Sequence, residues 1–166
     1  SAFRYPRGNG MGVELPEINE TLEIGKGKLI KKGKQVAILN FGARLNECLI
    51  ARENLLKKGI KISVIDARFA KPLDENLLWQ IATDHEVVIT IEEGSIGGFG
   101  SHVGQFLNEK NLLDNNLKFR SMFLPDRFID HDKPEIMYKN AGLDSFNIES
   151  KILDTLNSKV VIKKSN

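Results

Sequence analysis

Apolar and polar positions alternate along this chain in two rhythms. Val36-Ala37-Ile38-Leu39, Ile62-Ser63-Val64-Ile65 and Val87-Val88-Ile89-Thr90-Ile91 are short, nearly continuous apolar runs, the mark of strands covered on both faces. Between them the period lengthens to that of a helix. Leu45, Cys48, Leu49, Arg52 and Leu56 fall on one stripe that Gly59 stops. Asp74 predicts the cap of a second helix, with Leu77, Leu78, Ile81 and Ala82 on one face and an end near Asp84-His85. Val103, Phe106 and Leu107 mark a third helix after a glycine loop, and residues 117–124 a fourth strand broken by Pro125. Pro134 opens a short helix closed by Gly142, and Ser145 is expected to cap a last one through Ile148, Ile152 and Leu156. Upstream, Leu29-Ile30 and a Lys32-Gly33-Lys34 turn read as a hairpin feeding the Val36 strand. The whole predicts an α/β domain: a mostly parallel sheet with helices on both faces.

Residues 1–20 stand apart. Gly8, Gly10 and Gly12 fall within five positions, Pro6 and Pro16 add to them, and no period appears. This reads as a strand end and an irregular linker, with the domain beginning at residue 21.

Composition removes several function classes. The 24 basic and 22 acidic residues give a net charge of +2, which offers no electrostatic case for nucleic acid. Apolar runs are too short to span a membrane. The single cysteine, Cys48, excludes an internal disulfide and fits a reducing cytoplasm.

The candidate chemistry is sparse. "GSIGGFGSHV" from Gly94 matches neither dinucleotide nor P-loop signatures, yet a strand-to-helix turn leaves backbone N–H groups where an anion could sit. Ser95, Gly97, Gly98, Gly100 and Ser101 are the candidate anion loop, beside the alternative that the glycines serve packing. His85, His102 and His131 are scattered and lack metal-ligand spacing. Glu92 and Glu93 end a strand at the mouth of the loop. Adjacent strand residues face opposite ways, which makes them a poor acid/base pair and leaves binding or partner contact as their use.

The stretches "RYPRGNG", "LEIGKGKLIKKG", "VAILNFG", "DARFAKPLDE", "IEEGSIGGFGSHV", "LPDRFIDH" and "AGLD" closely resemble the 1-deoxy-D-xylulose-5-phosphate synthase family. Looser similarity extends to transketolases and to the beta subunits of 2-oxo-acid dehydrogenases. The resemblance implies a parent enzyme, a cytoplasmic homodimer, that uses thiamine diphosphate and Mg²⁺ to join a two-carbon unit from pyruvate to D-glyceraldehyde 3-phosphate. Residues 1–20 would be the tail of its pyrimidine-binding domain plus linker, and 21–166 its C-terminal domain. The implied fold is a mixed five-stranded sheet, first strand antiparallel. No Gly-Asp-Gly occurs in the sequence, so the chain by itself is expected to bind neither cofactor nor metal, to be inactive, and to serve as scaffold and subunit contact beside the upstream domains. The resemblance places Arg7 on the acceptor's phosphate, with Arg4 beside it. An anion-binding regulatory module on the 94–101 loop and a pure interaction module using the Glu92-Glu93 edge are the alternatives.

Overall fold

The apolar runs assemble into a single sheet. The computed structural model describes Gly12 and residues 21–158. In chain order the elements are β1 (Lys28–Lys31), β2 (Val36–Phe41), α1 (Leu45–Lys57), β3 (Ile62–Asp66), α2 (Glu75–Asp84), β4 (Val87–Glu92), α3 (Phe99–Glu109), β5 (Lys118–Met122), α4 (Pro134–Asn140) and α5 (Ser145–Asn157), with a short 3-10 helix at Leu112–Asn115. The strand order is β1-β3-β2-β4-β5. β2 to β5 run parallel, and β1 is antiparallel to β3.

Strand alternation divides the core into two layers. Val36 and Ile38 of β2, with Ile89 of β4, pack against Cys48, Ala51 and Leu55 of α1 and Ile148 and Ile152 of α5. Ala37 and Leu39, one position on, face Leu78 and Ile81 of α2 and Val103 and Leu107 of α3. Each fully buried Ile, Leu or Val contributes roughly 1.5–3 kcal/mol relative to exposure.

Three local expectations are corrected. The face that α1 buries is Cys48, Ala51 and Leu55; Leu56 is partly exposed. Small residues at 48 and 51 let this face approach the sheet, and α1 then ties to α5 through the Lys58–Glu149 ion pair. The cap of α5 is Asp144, whose Oδ1 accepts from Asn147 N at 3.0 Å, while the Ser145 N–H donates to Glu47 Oε2 of α1 at 2.8 Å. Lastly, β1 and β2 are no hairpin, because β3 lies between them.

The physical reason lies at Gly33. Its N–H donates to Ser63 Oγ at 2.8 Å and the Lys34 N–H donates to Lys61 O at 3.0 Å, so the connection crosses over the start of β3. A Cβ on Gly33 would lie 2.1 Å from the Ile62 carbonyl carbon. His85 fixes the same crossing from the end of α2. Its Nδ1 lies 2.9 Å from Ile81 O, which only accepts, so Nδ1 carries the proton. Nε2 lies 2.8 Å from Ser63 Oγ, so the ring joins the end of α2 to β3.

Gly33→Ala should accordingly destabilise the fold by about 3 kcal/mol or more, since backbone rather than a movable side chain meets the new methyl. Urea denaturation would measure it, and an unchanged midpoint would contradict the crossing.

Candidate functional site

All four parallel strands point their carboxyl ends to one edge. The chain leaves β2 for α1 on one face and β4 for α3 on the other, so β2 and β4 flank the crevice where open α/β sheets place ligands. Glu92 and Glu93 sit at that crevice and diverge, as expected from their adjacency on a strand.

Glu92 is 4% exposed and turns toward α3. Its Oε2 accepts from Phe99 N at 3.0 Å and its Oε1 from Gly100 N at 2.8 Å. The positive end of the helix dipole and two orphan donors thus meet an internal carboxylate. A Cβ on Gly94 or Gly98 would each lie 2.4 Å from Glu92 Oε2, so the glycines make room for that side chain. The Gly97 N–H donates to Ser101 Oγ at 3.1 Å and the Gly98 N–H to Ser95 O at 3.1 Å. The N–H groups of Gly97, Gly98, Phe99 and Gly100 are therefore taken by the chain itself rather than free for an outside anion.

Glu93 turns the other way. Its Oε1 lies 2.9 Å from Arg44 Nε, with the N–H not aligned along the contact, so the pair is Coulombic rather than a directed hydrogen bond. The Arg44 guanidinium lies 3.5 Å over the centre of the Tyr138 ring. Burial pushes the Tyr138 hydroxyl above its ordinary value of 10, and the neighbouring Glu93 carboxylate pushes it further. Together Arg44, Glu93 and Tyr138 bridge the start of α1, the end of β4 and α4. A cleft of about 540 Å³ opens beside them, lined by Arg44, Glu47, Tyr138 and Asp144 among others.

The stretch "DARFAKPLD" has a joining role. Asp74 Oδ1 accepts from Leu77 N at 3.1 Å, capping α2 as expected, and its Oδ2 accepts from Gly27 N at 3.1 Å. Asp66 Oδ1 accepts from Arg68 N at 3.1 Å, where Arg68 takes a left-handed φ of 58°. Two stretches that carry the sequence resemblance are thus one physical unit.

Nucleophilic chemistry finds little footing here. Burial, then the neighbouring Glu47 charge, push the Cys48 thiol up to about 12, where it is no thiolate at neutral pH. Among the described residues no group of three or more His, Cys, Asp or Glu side chains is placed to hold a metal ion. His102 lies on α3 and His131 is exposed in the loop before α4. Arg4 and Arg7 lie outside the described residues. The sequence reading did not find the Arg44–Tyr138 contact, for the two are far apart in the chain and follow no motif.

The site is thus a parallel α/β sheet edge closed by its own side chains, and comparison with known proteins names the class. Residues 25–148 match the family described as transketolase, C-terminal domain. The chain belongs to the transketolase C-terminal domain family. Among solved structures it is similar to a split-gene transketolase described as an inactive beta4 tetramer, with 29% identity and a TM-score of 0.73 over 81% of this chain and 43% of that one. Transketolase from Campylobacter jejuni shares 17% identity and a TM-score of 0.57, covering 78% of this chain and 18% of its own. A Pichia stipitis transketolase mutant complexed with xylulose 5-phosphate shares 17% and a TM-score of 0.58, covering 80% and 18%. The last two likenesses concern the fold alone. The chain spans less than half the length of the first and under a fifth of the others.

Replacing Glu92 tests the internal cap. Glu92→Gln should cost about 1.5–3 kcal/mol, because a charge-assisted pair of bonds becomes one neutral acceptor beside an amide donor. Glu93→Gln, at a partly exposed ion pair, should cost under about 1 kcal/mol. Equal losses in urea denaturation would contradict the assignment.

Proposed function

We propose that this chain is the C-terminal domain of a thiamine-diphosphate-dependent synthase. That enzyme condenses pyruvate with D-glyceraldehyde 3-phosphate to 1-deoxy-D-xylulose 5-phosphate and CO₂, feeding isoprenoid, thiamine and pyridoxal synthesis. The observation that carries the reading is family membership across residues 25–148, joined to the specific resemblance of "DARFAKPLDE" and "IEEGSIGGFGSHV". The cofactor, when bound with Mg²⁺, supplies the carbanion chemistry of such an enzyme.

Among the described residues the donor set does not fit that cofactor. The sequence holds no Gly-Asp-Gly, and the described residues gather no metal-ligating cluster. No chemical step is therefore routed through them. The domain's part is to support the catalytic domains and the subunit contact of a cytoplasmic homodimer. No helix among the described residues is long and apolar enough to cross a membrane. Arg7, with Arg4 beside it, is proposed as a ligand of the triose phosphate, a task suited to a permanently charged, bidentate guanidinium.

A second reading has support in the 29% identity to the split-gene transketolase: a transketolase subunit moving two-carbon units between sugar phosphates. One assay separates the two. The enzyme carrying this chain, given thiamine diphosphate and Mg²⁺, should release CO₂ from pyruvate and form product with the triose phosphate. Two-carbon transfer from xylulose 5-phosphate instead would favour the second reading.

In the same enzyme, Arg7→Ala should raise KM for the triose phosphate about 30- to 150-fold, for a loss of about 2–3 kcal/mol, and leave KM for pyruvate nearly unchanged. Equal changes in both would make Arg7 a structural residue.

A further inference from the structure

A cleft of about 780 Å³ opens at the amino edge of the sheet, opposite the carboxyl edge described above. Its floor is apolar, made by Ala82 of α2, Leu112 of the 3-10 helix and Leu117 just before β5. Asp84, Glu86 and Lys34 stand on its rim. Both acids are exposed, and among the described residues neither carboxylate takes part in an ion pair. Lys118, which also lines the cleft, is committed elsewhere. Its Nζ donates to Thr155 O and Ser158 O, each at 3.0 Å, and reaches Leu156 O at 3.4 Å. One ammonium thus closes the carboxyl end of α5, where a cation is favoured by the helix dipole, and brings that end to the rim of the cleft. Ser158 leaves the helix in an extended conformation, φ −67° and ψ 113°. The sequence continues Lys159-Val160-Val161-Ile162-Lys163-Lys164, outside the described residues.

We propose that residues 159–164 dock in this cleft, with Val160 and Ile162 on the Ala82, Leu112 and Leu117 floor and the lysines toward Asp84 and Glu86. Position supports the occupant. The segment begins one residue after a carbonyl that is bonded to the cleft's own Lys118, so little loop entropy is lost in closing it. Six extended residues reach about 20 Å, enough to cross a cleft of this volume. Pattern supports it too. Three consecutive β-branched residues favour an extended strap, in which positions 160 and 162 share one face. Charge agrees: the segment brings three lysines to a rim where two unpaired acids face Lys34. The inference concerns the amino edge alone and does not depend on the reaction proposed above.

The test uses the whole enzyme carrying this chain. Val160→Asp combined with Ile162→Asp should speed amide hydrogen exchange at residues 82–86 and 112–118 at least tenfold while leaving the centres of β2 and β4 unchanged. Equal exchange in the two proteins would overturn the proposal. A second measurement places the photo-crosslinker p-benzoylphenylalanine at position 162. Irradiation should join it to peptides containing residues 82–86 or 112–118 of the same chain, and crosslinks elsewhere, or none, would overturn the docking. Mixing isotopically labelled and unlabelled protein identifies the occupant, and crosslinks between copies would make it a second chain and overturn the proposal as well. Asp84→Lys combined with Glu86→Lys should lower the crosslink yield at least fivefold; an unchanged yield would overturn the charge pairing. The altered positions lie on the exposed rim or outside the described core, so the body of the domain keeps its fold.

Discussion

A buried carboxylate organises the carboxyl edge of this sheet. Placing Glu92 out of water is costly unless hydrogen bonds replace its hydration, and two N–H groups from the first turn of α3 do so. The same contact sets the direction in which α3 leaves β4, and hence which of its faces covers the sheet. It also requires glycine at 94 and 98, whose Cβ positions would fall on the carboxylate. The pattern repeats around the edge. α2 starts on Asp74, and α5 starts on Asp144 with Glu47 of α1 on its first N–H. Three helix starts that could each attract an external anion are thereby met by the chain's own acids. At the crevice where many α/β proteins bind a ligand, these helix starts are neutralised from within.

Much of this was legible in the sequence because it is local. The three short apolar runs suit strands buried on both faces, and Asp74 followed by a helical stripe announced its own cap. Even the divergence of Glu92 and Glu93 follows from the two-residue repeat of a strand. Where the reading failed, the deciding contact was distant or the local signal was duplicated. Lys32-Gly33-Lys34 reads the same as a hairpin turn or a crossing; only the backbone of Ile62 and the hydroxyl of Ser63 distinguish them. Leu55 and Leu56 are adjacent and equally apolar, so periodicity alone could not choose the buried one. Asp144 and Ser145 are both good caps in consecutive positions.

The glycine loop shows the same limit in a functional setting. Glycines at a strand-to-helix turn are equally suited to cradle a phosphate or to admit a neighbouring side chain. The residue that decides, Glu92, stands just before the loop and was itself counted as a separate candidate. Read together, "EEGSIGGFGS" is one device: an acid, the space cleared for it, and the helix start it neutralises. Arg44 and Tyr138 form the corresponding closure on the other face, through Coulombic and cation–π contact with no sequence signature.

Polar satisfaction and apolar exposure are thus separated in space. At the roots of the carboxyl edge, Glu92 accepts from two N–H groups of α3 and Arg44 is paired with Glu93 by charge. At its rim, the segment before and through α4 holds its backbone in place yet leaves Phe128 and Ile136 in water. In the role proposed above, such a domain would serve chemistry elsewhere by holding its neighbours in register.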